Sequence, residues 1–362
     1  MFKRILVPLD GSTLAERAIP HAEEFARIFG SSIMLLQVLD PTSFHEHPSP
    51  VDPLSWQIRK AEADMYMEGI AARIRAELNE NPADAEGAQN QGKGPIPTKV
   101  EYSIREGKAA ENIVNFAQSE AIDLLVISTH GSSGLSRWNI SSVTQKVLNQ
   151  IYLPVLIVRA YCLPAAPDAQ VHYRRILLPI DSSRRAECSL AAGIALAGGE
   201  LSSGFLSEGN NRALRHTTLA FSPPRTKLIL MAVIKPPELP IPEPYPIEID
   251  QLSRQLMDAS RQAVTSYLNE MQERLPVECE CCVLENVSVS SAIQELASQE
   301  EDIDLVVLCA HGYTGQVAWP YGSVARNYLD HGTKPVLIIQ DVSRSQVKPT
   351  AAEIAAEKTG GR

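Results

Sequence analysis

The stretch of sequence that decides the fold is IDLVVLCAHGYTGQVAWPYGSV, residues 303–324. An uninterrupted apolar run ends in a loop that contains Gly312 and Gly315, and Gly322-Ser323-Val324 then begins a helical segment. A loop between a buried strand and a helix presents backbone N–H groups and the positive end of the helix to an anion. The stretch therefore predicts a strand, a phosphate-binding loop and a helix, in that order.

The same order of residue types occurs earlier in the chain, as DLLVISTHGSSG at residues 123–134, followed by Ser141-Ser142-Val143. The start of the chain also has a second copy, because RILVPLDGS at residues 4–12 matches RILLPIDSS at residues 175–183. A chain of 362 residues is too long for one ordinary core and fits two domains of about 150 residues each. The chain is therefore a tandem repeat.

The repeat predicts where the chain divides. We expect one domain at residues 1–160, a linker at 161–173, a second domain at 174–342 and a flexible tail at 343–362. Within the second domain, a Gly-, Ser- and Asn-rich segment at about residues 198–226 predicts an inserted loop.

Apolar strands alternate with amphipathic helices in both copies, which is typical of a doubly wound α/β fold with a parallel sheet. Thr13 and Glu16 have the spacing of a capping box, and helical periodicity after them predicts one helix that continues to Gly30. Long helices are predicted at residues 55–78 and 249–275.

Composition excludes several function classes. The net charge of −10 argues against nucleic acid, whose phosphates require clustered Lys and Arg. The sequence has neither the apolar segment of a signal peptide at its start nor a run of 18 apolar residues. Its six cysteines form no regular framework, which fits a reducing compartment. We expect a cytoplasmic protein without a nucleic-acid or membrane partner.

Both halves resemble universal stress protein domains. In that family the first strand ends in Pro-x-Asp, and nucleotide-binding members carry Gly-x2-Gly-x9-Gly-Ser/Thr after strand four. The second copy, Cys309-x2-Gly312-x9-Gly322-Ser323, departs from this pattern only at Cys309. The first copy has serine in place of two glycines, at positions 128 and 141. The second half is therefore nearer to the ATP-binding pattern.

The resemblance implies a Rossmann-like fold of the adenine nucleotide alpha hydrolase type, with two doubly wound five-stranded parallel sheets of strand order 3-2-1-4-5. Ligands of such sheets bind outside the carboxyl ends of the strands at the switch point, here between strands one and four. Asp10 and Gly131 lie at these two strand ends in the first half, and Asp181 and Gly312 lie there in the second.

The resemblance also implies which residues contact a nucleotide. The two aspartates meet its adenosine end, with the backbone of Val38 and Val233 flanking the base. In the second half the predicted contacts are Pro179, Ile180, Asp181, Val233, Gly312, Gly315, Gly322, Ser323 and Val324. In the first half they are Asp10, Val38, Gly131, Gly134, Ser141 and Ser142.

The loop glycines, Ser323 and the two aspartates also have a purely structural interpretation. The loop glycines can serve positive φ angles, and Ser323 can cap its helix. The two aspartates can end the first strand as turn or cap residues. His130 and His311 precede the loop glycines, but no paired carboxylate or nucleophile recurs beside both, so we predict packing or loop hydrogen bonds and no catalytic residue.

The Cys279-Glu280-Cys281-Cys282 segment resembles a metal or redox motif only superficially. Cys279 and Cys281 alternate with polar residues, as one face of an edge strand does, and no second ligand pair follows at finger-like spacing. We expect small buried residues and no metal.

These observations predict a stress-response protein that binds adenine nucleotide, ATP or ADP, chiefly in the second half. Its role would be regulatory or protective, and it would not be an enzyme. The alternatives are a nucleotide-free interaction scaffold and a slow ATPase. By resemblance, the two domains pair through their closing strands, residues 154–158 and 335–339. Dimerisation of the whole chain is a further possibility.

Overall fold

A computed structural model describes residues 1–40, 53–79, 98–132, 134, 140–161, 170–198, 226–238, 245–300, 302–313 and 320–342. The strands are β1 (Arg4–Leu9), β2 (Ser32–Leu39), β3 (Val100–Glu106), β4 (Leu124–Ser128), β5 (Val155–Val158), β6 (Arg175–Pro179), β7 (Lys227–Ile234), β8 (Cys279–Glu285), β9 (Leu305–Cys309) and β10 (Val336–Ile339). The helices are α1 (Thr13–Glu16), α2 (Ile19–Phe29), α3 (Pro53–Asn79), α4 (Ala109–Ser119), α5 (Ser142–Leu148), α6 (Cys188–Leu196), α7 (Ile247–Arg274), α8 (Val289–Gln299) and α9 (Ser323–His331).

The strands form one ten-stranded sheet in the order β3-β2-β1-β4-β5-β10-β9-β6-β7-β8. Within each half the five strands are parallel and follow the order 3-2-1-4-5, so the predicted fold class is confirmed. The two halves meet where β5 and β10 pair antiparallel, with Leu156 opposite Leu337.

The central strands are buried on both faces. Every residue of β4, β5 and β10 is buried, which explains why these segments are continuous apolar runs: helices cover both sides of a parallel sheet. The outer strands β3 and β8 are mostly half-buried and end in exposed residues, and their sequences alternate accordingly. On β8, Cys279 and Cys281 pack on the same core cluster, as the alternation predicted.

The single helix predicted from Thr13 to Gly30 is wrong, because α1 ends at Glu16 and α2 begins at Ile19. Pro20 lies in the first turn of α2, where its missing N–H costs nothing. The N-cap of α1 is Ser12, whose hydroxyl accepts the N–H of Ala15, and not Thr13. The capping hydroxyl therefore belongs to Ser12, one residue before the Thr13 of the predicted capping box.

The predicted linker and the inserted loop fall mostly outside the described residues, and the tail after Val342 lies wholly outside them. None of the helices in the described ranges is long and apolar enough to cross a membrane.

A buried arginine joins the two halves beside the β5–β10 pairing. Arg159, directly after β5, donates from Nη1 to the carbonyl oxygen of Leu329 at 2.7 Å and from Nη2 to that of Tyr328 at 2.6 Å. Both carbonyls belong to the last turn of α9, where a helix leaves C=O groups without their usual donors; that of Tyr328 also accepts the N–H of the C-cap Gly332 at 2.8 Å. The first half thus caps a helix of the second.

Candidate functional site

An aspartate follows the first strand of each half and closes a tight turn. Oδ1 of Asp10 accepts the N–H of Ser12 at 3.0 Å and its hydroxyl at 2.6 Å. Oδ1 of Asp181 accepts the N–H of Ser183 at 3.0 Å. Both aspartates are exposed, so the turn uses one carboxylate oxygen and leaves the side chain open to the crevice above the sheet.

The second oxygen of each aspartate contacts the loop after the fourth strand. Oδ2 of Asp181 accepts the N–H of Tyr313 at 2.6 Å, and Oδ2 of Asp10 accepts that of Ser132 at 2.7 Å. A β-carbon at Gly312 would lie 2.4 Å from Oδ2 of Asp181, and one at Gly131 would lie 2.0 Å from Oδ2 of Asp10. Glycine is therefore required at these two positions because the carboxylate approaches the backbone closely. Neither glycine has a positive φ angle.

The helices that follow the two loops begin differently. Ser141 is the N-cap of α5, and its Oγ accepts the N–H of Thr144 at 3.2 Å. Gly322 is the N-cap of α9, and no side chain among the described residues caps that helix. The possible cap at Ser323 is therefore wrong: Ser323 is the first residue of α9, and it is exposed. The first N–H groups of α9 are left for another acceptor.

Backbone conformation does not explain the glycine at position 322. Its φ of −71° is open to any residue, and its N–H donates to the carbonyl of Ala310 at 2.8 Å. Ser141 makes the same backbone bond, to Thr129 at 2.8 Å, with a side chain in place. The missing side chain at Gly322 therefore opens the helix end, and it also avoids a close contact of 3.3 Å between a β-carbon and the Ala310 carbonyl oxygen.

The remaining predicted residues lie around these two loops. Val38 and Val233 are the half-buried, next-to-last residues of β2 and β7. Gly134 is exposed, with φ +91°, and its N–H donates to Gly131 at 3.1 Å. Ser142 is exposed at the start of α5.

In the second half, Pro179 ends β6, and the buried Ile180 donates its N–H to Met231 at 2.7 Å. Val324 is half-buried and packs on the core beneath α9. Gly315 lies outside the described residues.

The two loop histidines are buried and hydrogen-bonded. Nδ1 of His130 lies 3.0 Å from Oγ1 of Thr129. His311 is only 1% exposed, and its Nδ1 lies 2.7 Å from Oδ1 of Asp341, whose other oxygen is 3.7 Å from Arg185. A ring held in this way orients the loop and is not open to a ligand.

Sequence reasoning missed two pairs beside the site. Tyr66 on α3 donates to Glu16, and Tyr267 on α7 donates to Glu187, each at 3.0 Å. Burial and the neighbouring glutamate raise the pKa of both tyrosines, so each hydroxyl stays a donor. A tyrosine and a glutamate recur at corresponding places of the two halves, and this recurrence is the sequence signal that could have revealed the pairs.

A third missed contact has no counterpart in the first half. Sγ of Cys188 lies 3.0 Å from Sγ of Cys309, although the two residues are far apart in the chain and follow no motif.

Comparison with known proteins gives matches in both halves. The model of the "Universal stress protein family" matches residues 1–159 and 205–340. Universal stress protein MJ0531 of Methanocaldococcus jannaschii is 28% identical over 159 residues, which are 44% of this chain and 83% of that protein. Universal stress protein MJ0577 of the same organism is 27% identical over 159 residues, 44% of this chain and 96% of its own.

Solved structures match over both halves at once. A universal stress protein from Archaeoglobus fulgidus superimposes with a TM-score of 0.53 at 15% identity, covering 94% of this chain and 98% of its own. A putative universal stress protein from Pseudomonas aeruginosa gives a TM-score of 0.55 at 15% identity, covering 93% of each chain. At these identities the structures show a shared fold.

Proposed function

The chain belongs to the universal stress protein family, and from this premise we propose that it binds an adenine nucleotide, ATP or ADP, chiefly in the crevice between Asp181 and Ser323. The role we propose is regulatory or protective, through the bound nucleotide, in the response to stress.

The observation that carries the proposal is the N-terminus of α9, which no side chain of the described residues caps. The first N–H groups of a helix have no partner within the helix, and its dipole places partial positive charge there. With Gly322 as N-cap, the N–H groups of Ser323 and Val324 and the Ser323 hydroxyl would bind the phosphates. The bond from Gly322 to Ala310 fixes this helix end at the carboxyl end of β9.

Charge sets the orientation of the nucleotide. The exposed carboxylate of Asp181 repels phosphate and accepts hydrogen bonds, so it suits the ribose hydroxyls. Val233, half-buried at the end of β7, offers an apolar contact for the base. The adenosine would therefore lie over β6 and β7, with the phosphates at α9.

The first half supports a weaker site. Asp10 and Gly131 reproduce the contact of Asp181 with Gly312, but Ser141 caps α5 through its own hydroxyl. A phosphate there would have to compete with this cap.

We propose binding in preference to catalysis because His311, which precedes the loop of the second half, is unavailable as a general base. The His311 ring is buried against Asp341, so it is poorly placed to activate a water molecule. If the chain is instead a slow ATPase, His311→Ala should abolish turnover and leave nucleotide binding in place.

We also propose that the two halves work as one unit, as two subunits of a dimer would. The antiparallel pairing of β5 with β10 and the bonds from Arg159 to α9 support this proposal.

The test is calorimetric titration of the full chain with ATP and magnesium, comparing Gly322→Val with the matched change Ser141→Val. A ligand present at 100 times its dissociation constant, binding only the folded state, stabilises a protein by about 2.7 kcal/mol, so a thermal shift should accompany binding. We expect Gly322→Val to lose most of the affinity and Ser141→Val to keep most of it.

Circular dichroism without ligand controls for damage at Gly322, where a β-carbon would lie 3.3 Å from the Ala310 carbonyl oxygen. Equal losses in both variants would contradict the preference for the second half. No heat and no shift with millimolar ATP or ADP would contradict nucleotide binding and favour the scaffold.

A further inference from the structure

Two free thiols face each other beside the proposed nucleotide site. Cys188 is the first residue of α6 and Cys309 the last of β9. Both are reduced and partly exposed, and their sulfur atoms are 3.0 Å apart. A disulfide has an S–S length of about 2.05 Å, so a closing movement of about 1 Å would join them.

The pair lies where the two walls of the crevice meet. α6 follows the turn closed by Asp181, and Cys309 begins the segment that carries His311 and Gly312. The matching positions of the first half are Arg17 and Ser128, which cannot form this bond. The thiol pair therefore belongs only to the half whose phosphate loop is nearer to the nucleotide-binding pattern.

We propose that Cys188 and Cys309 are a redox-active dithiol, which hydrogen peroxide or another hydroperoxide converts to a disulfide that ties α6 to the end of β9. This modification does not depend on the proposed nucleotide site.

The reaction balances with one peroxide. Sγ of Cys188 attacks one peroxide oxygen, the O–O bond breaks, and the departing hydroxide takes the thiol proton and leaves as water. Sγ of Cys309 then attacks the sulfur of the resulting sulfenic acid. The S–S bond forms, the S–O bond breaks, and the second hydroxide leaves as water with the Cys309 proton. Two thiols are oxidised and one peroxide is reduced to two waters.

The order of attack follows from the surroundings of Cys309. Contact with the Cys188 thiol, together with burial, raises the pKa of Cys309. The thiolate is the nucleophile that attacks a peroxide, so Cys309 is the poorer first nucleophile. It acts second, on the sulfenic acid 3.0 Å away.

The test treats the full, reduced chain with hydrogen peroxide, blocks remaining thiols with iodoacetamide and analyses peptides without reduction by mass spectrometry. Trypsin alone leaves Cys309 on one peptide with Cys279, Cys281 and Cys282, so a second protease that cleaves after glutamate is needed. We expect a linked pair of peptides containing Cys188 and Cys309, two hydrogen atoms lighter than their sum.

A thermal readout accompanies the mass spectrum. The disulfide closes a long loop and restricts the unfolded chain, so Tm should rise by about 5 °C or more and return with dithiothreitol. Cys309→Ser should abolish the rise, and Cys282→Ser, on the edge strand β8 of the same half, should retain it. Cys188→Ser repeats the test at a second position in case Cys309→Ser folds poorly.

Oxidation confined to other cysteines, or a rise in Tm that survives in both Cys188→Ser and Cys309→Ser, would overturn the proposal.

Discussion

Oδ2 of Asp181 occupies the space that a β-carbon on residue 312 would need, only 2.4 Å from that position. The same oxygen accepts the N–H of Tyr313. Asp10 and Gly131 repeat the arrangement at 2.0 Å. Because the contact occurs in both halves, it is a constraint of the domain that holds the end of the first strand against the loop after the fourth.

Gly312→Ala should therefore destabilise the protein through Asp181. The methyl group displaces the carboxylate from the Tyr313 N–H, and we expect a loss of about 1–3 kcal/mol in the free energy of unfolding. Urea denaturation measures this loss. Gly69→Ala is the matched control, because a β-carbon there meets no atom within 4 Å and alanine favours a helix interior.

A double-mutant cycle identifies the cause. Asp181→Ala removes the clashing oxygen, so Asp181→Ala/Gly312→Ala should lose less than the sum of the single changes, with a coupling of about 1 kcal/mol. Strict additivity would show that Gly312 is needed for a reason other than Asp181.

Ser141→Ala should destabilise the first half, because it removes the N-cap hydroxyl of α5. Loss of such a cap costs about 1 kcal/mol. Ser323→Ala is the control at the equivalent helix, and it should leave the free energy of unfolding nearly unchanged because Ser323 is exposed and is not a cap. A larger loss from Ser323→Ala, measured by urea denaturation without ligand, would contradict the assignment of the caps.

The sequence predicts the fold because two kinds of sequence pattern, the order of the segments and the distribution of apolar residues, agree in both halves. Strand-loop-helix segments recur in chain order, and apolar runs without alternation indicate strands covered on both faces. The proximity of Asp181 and Gly312 could also be predicted from the sequence. In a sheet of this strand order, the carboxyl ends of the first and fourth strands lie side by side at the switch point.

The finer features depend on contacts that no local pattern encodes. The choice of Gly322 over Ser323 as N-cap rests on the hydrogen bond from Gly322 to Ala310, which joins two elements. His311 with Asp341, and Cys188 with Cys309, unite residues from separate segments that follow no periodicity. The break between α1 and α2 was visible in principle, since Pro20 marks the first turn of a helix.

Arg159→Met should weaken the junction of the two halves. The guanidinium donates to two carbonyl groups at the end of α9. Its loss removes this donor from the Leu329 carbonyl, while that of Tyr328 keeps the N–H of Gly332, so we expect a cost of about 1–3 kcal/mol. Urea denaturation followed by circular dichroism measures the effect.

Arg326→Met is the matched control for that change, because Arg326 also bridges the halves, through Asn149 at 2.7 Å, but at the surface. It should change the free energy of unfolding by no more than about 0.5 kcal/mol. Similar effects from both variants would show that Arg159 has no special part in the junction.

Glu23→Gln should make the protein less sensitive to alkaline pH. Glu23 is buried on α2, and burial, with the nearby Glu77 carboxylate, raises its pKa to about 8. Between its ordinary pKa of 4.5 and about 8, the folded state keeps a proton that the unfolded state releases. Stability contributed by this proton is therefore complete below pH 4.5 and is lost as the pH rises.

Between pH 5 and pH 8 the parent chain should lose about 2–3 kcal/mol more of its free energy of unfolding than Glu23→Gln, whose amide does not titrate. Urea denaturation at several pH values measures the difference. His21 gives an internal control of opposite sign: burial lowers its pKa to about 4, so the unfolded state gains a proton first and stability falls as the pH drops below 6.5. Glu23→Gln should leave that contribution in place, and parallel pH profiles for the two proteins would show that Glu23 is ionised in the folded state.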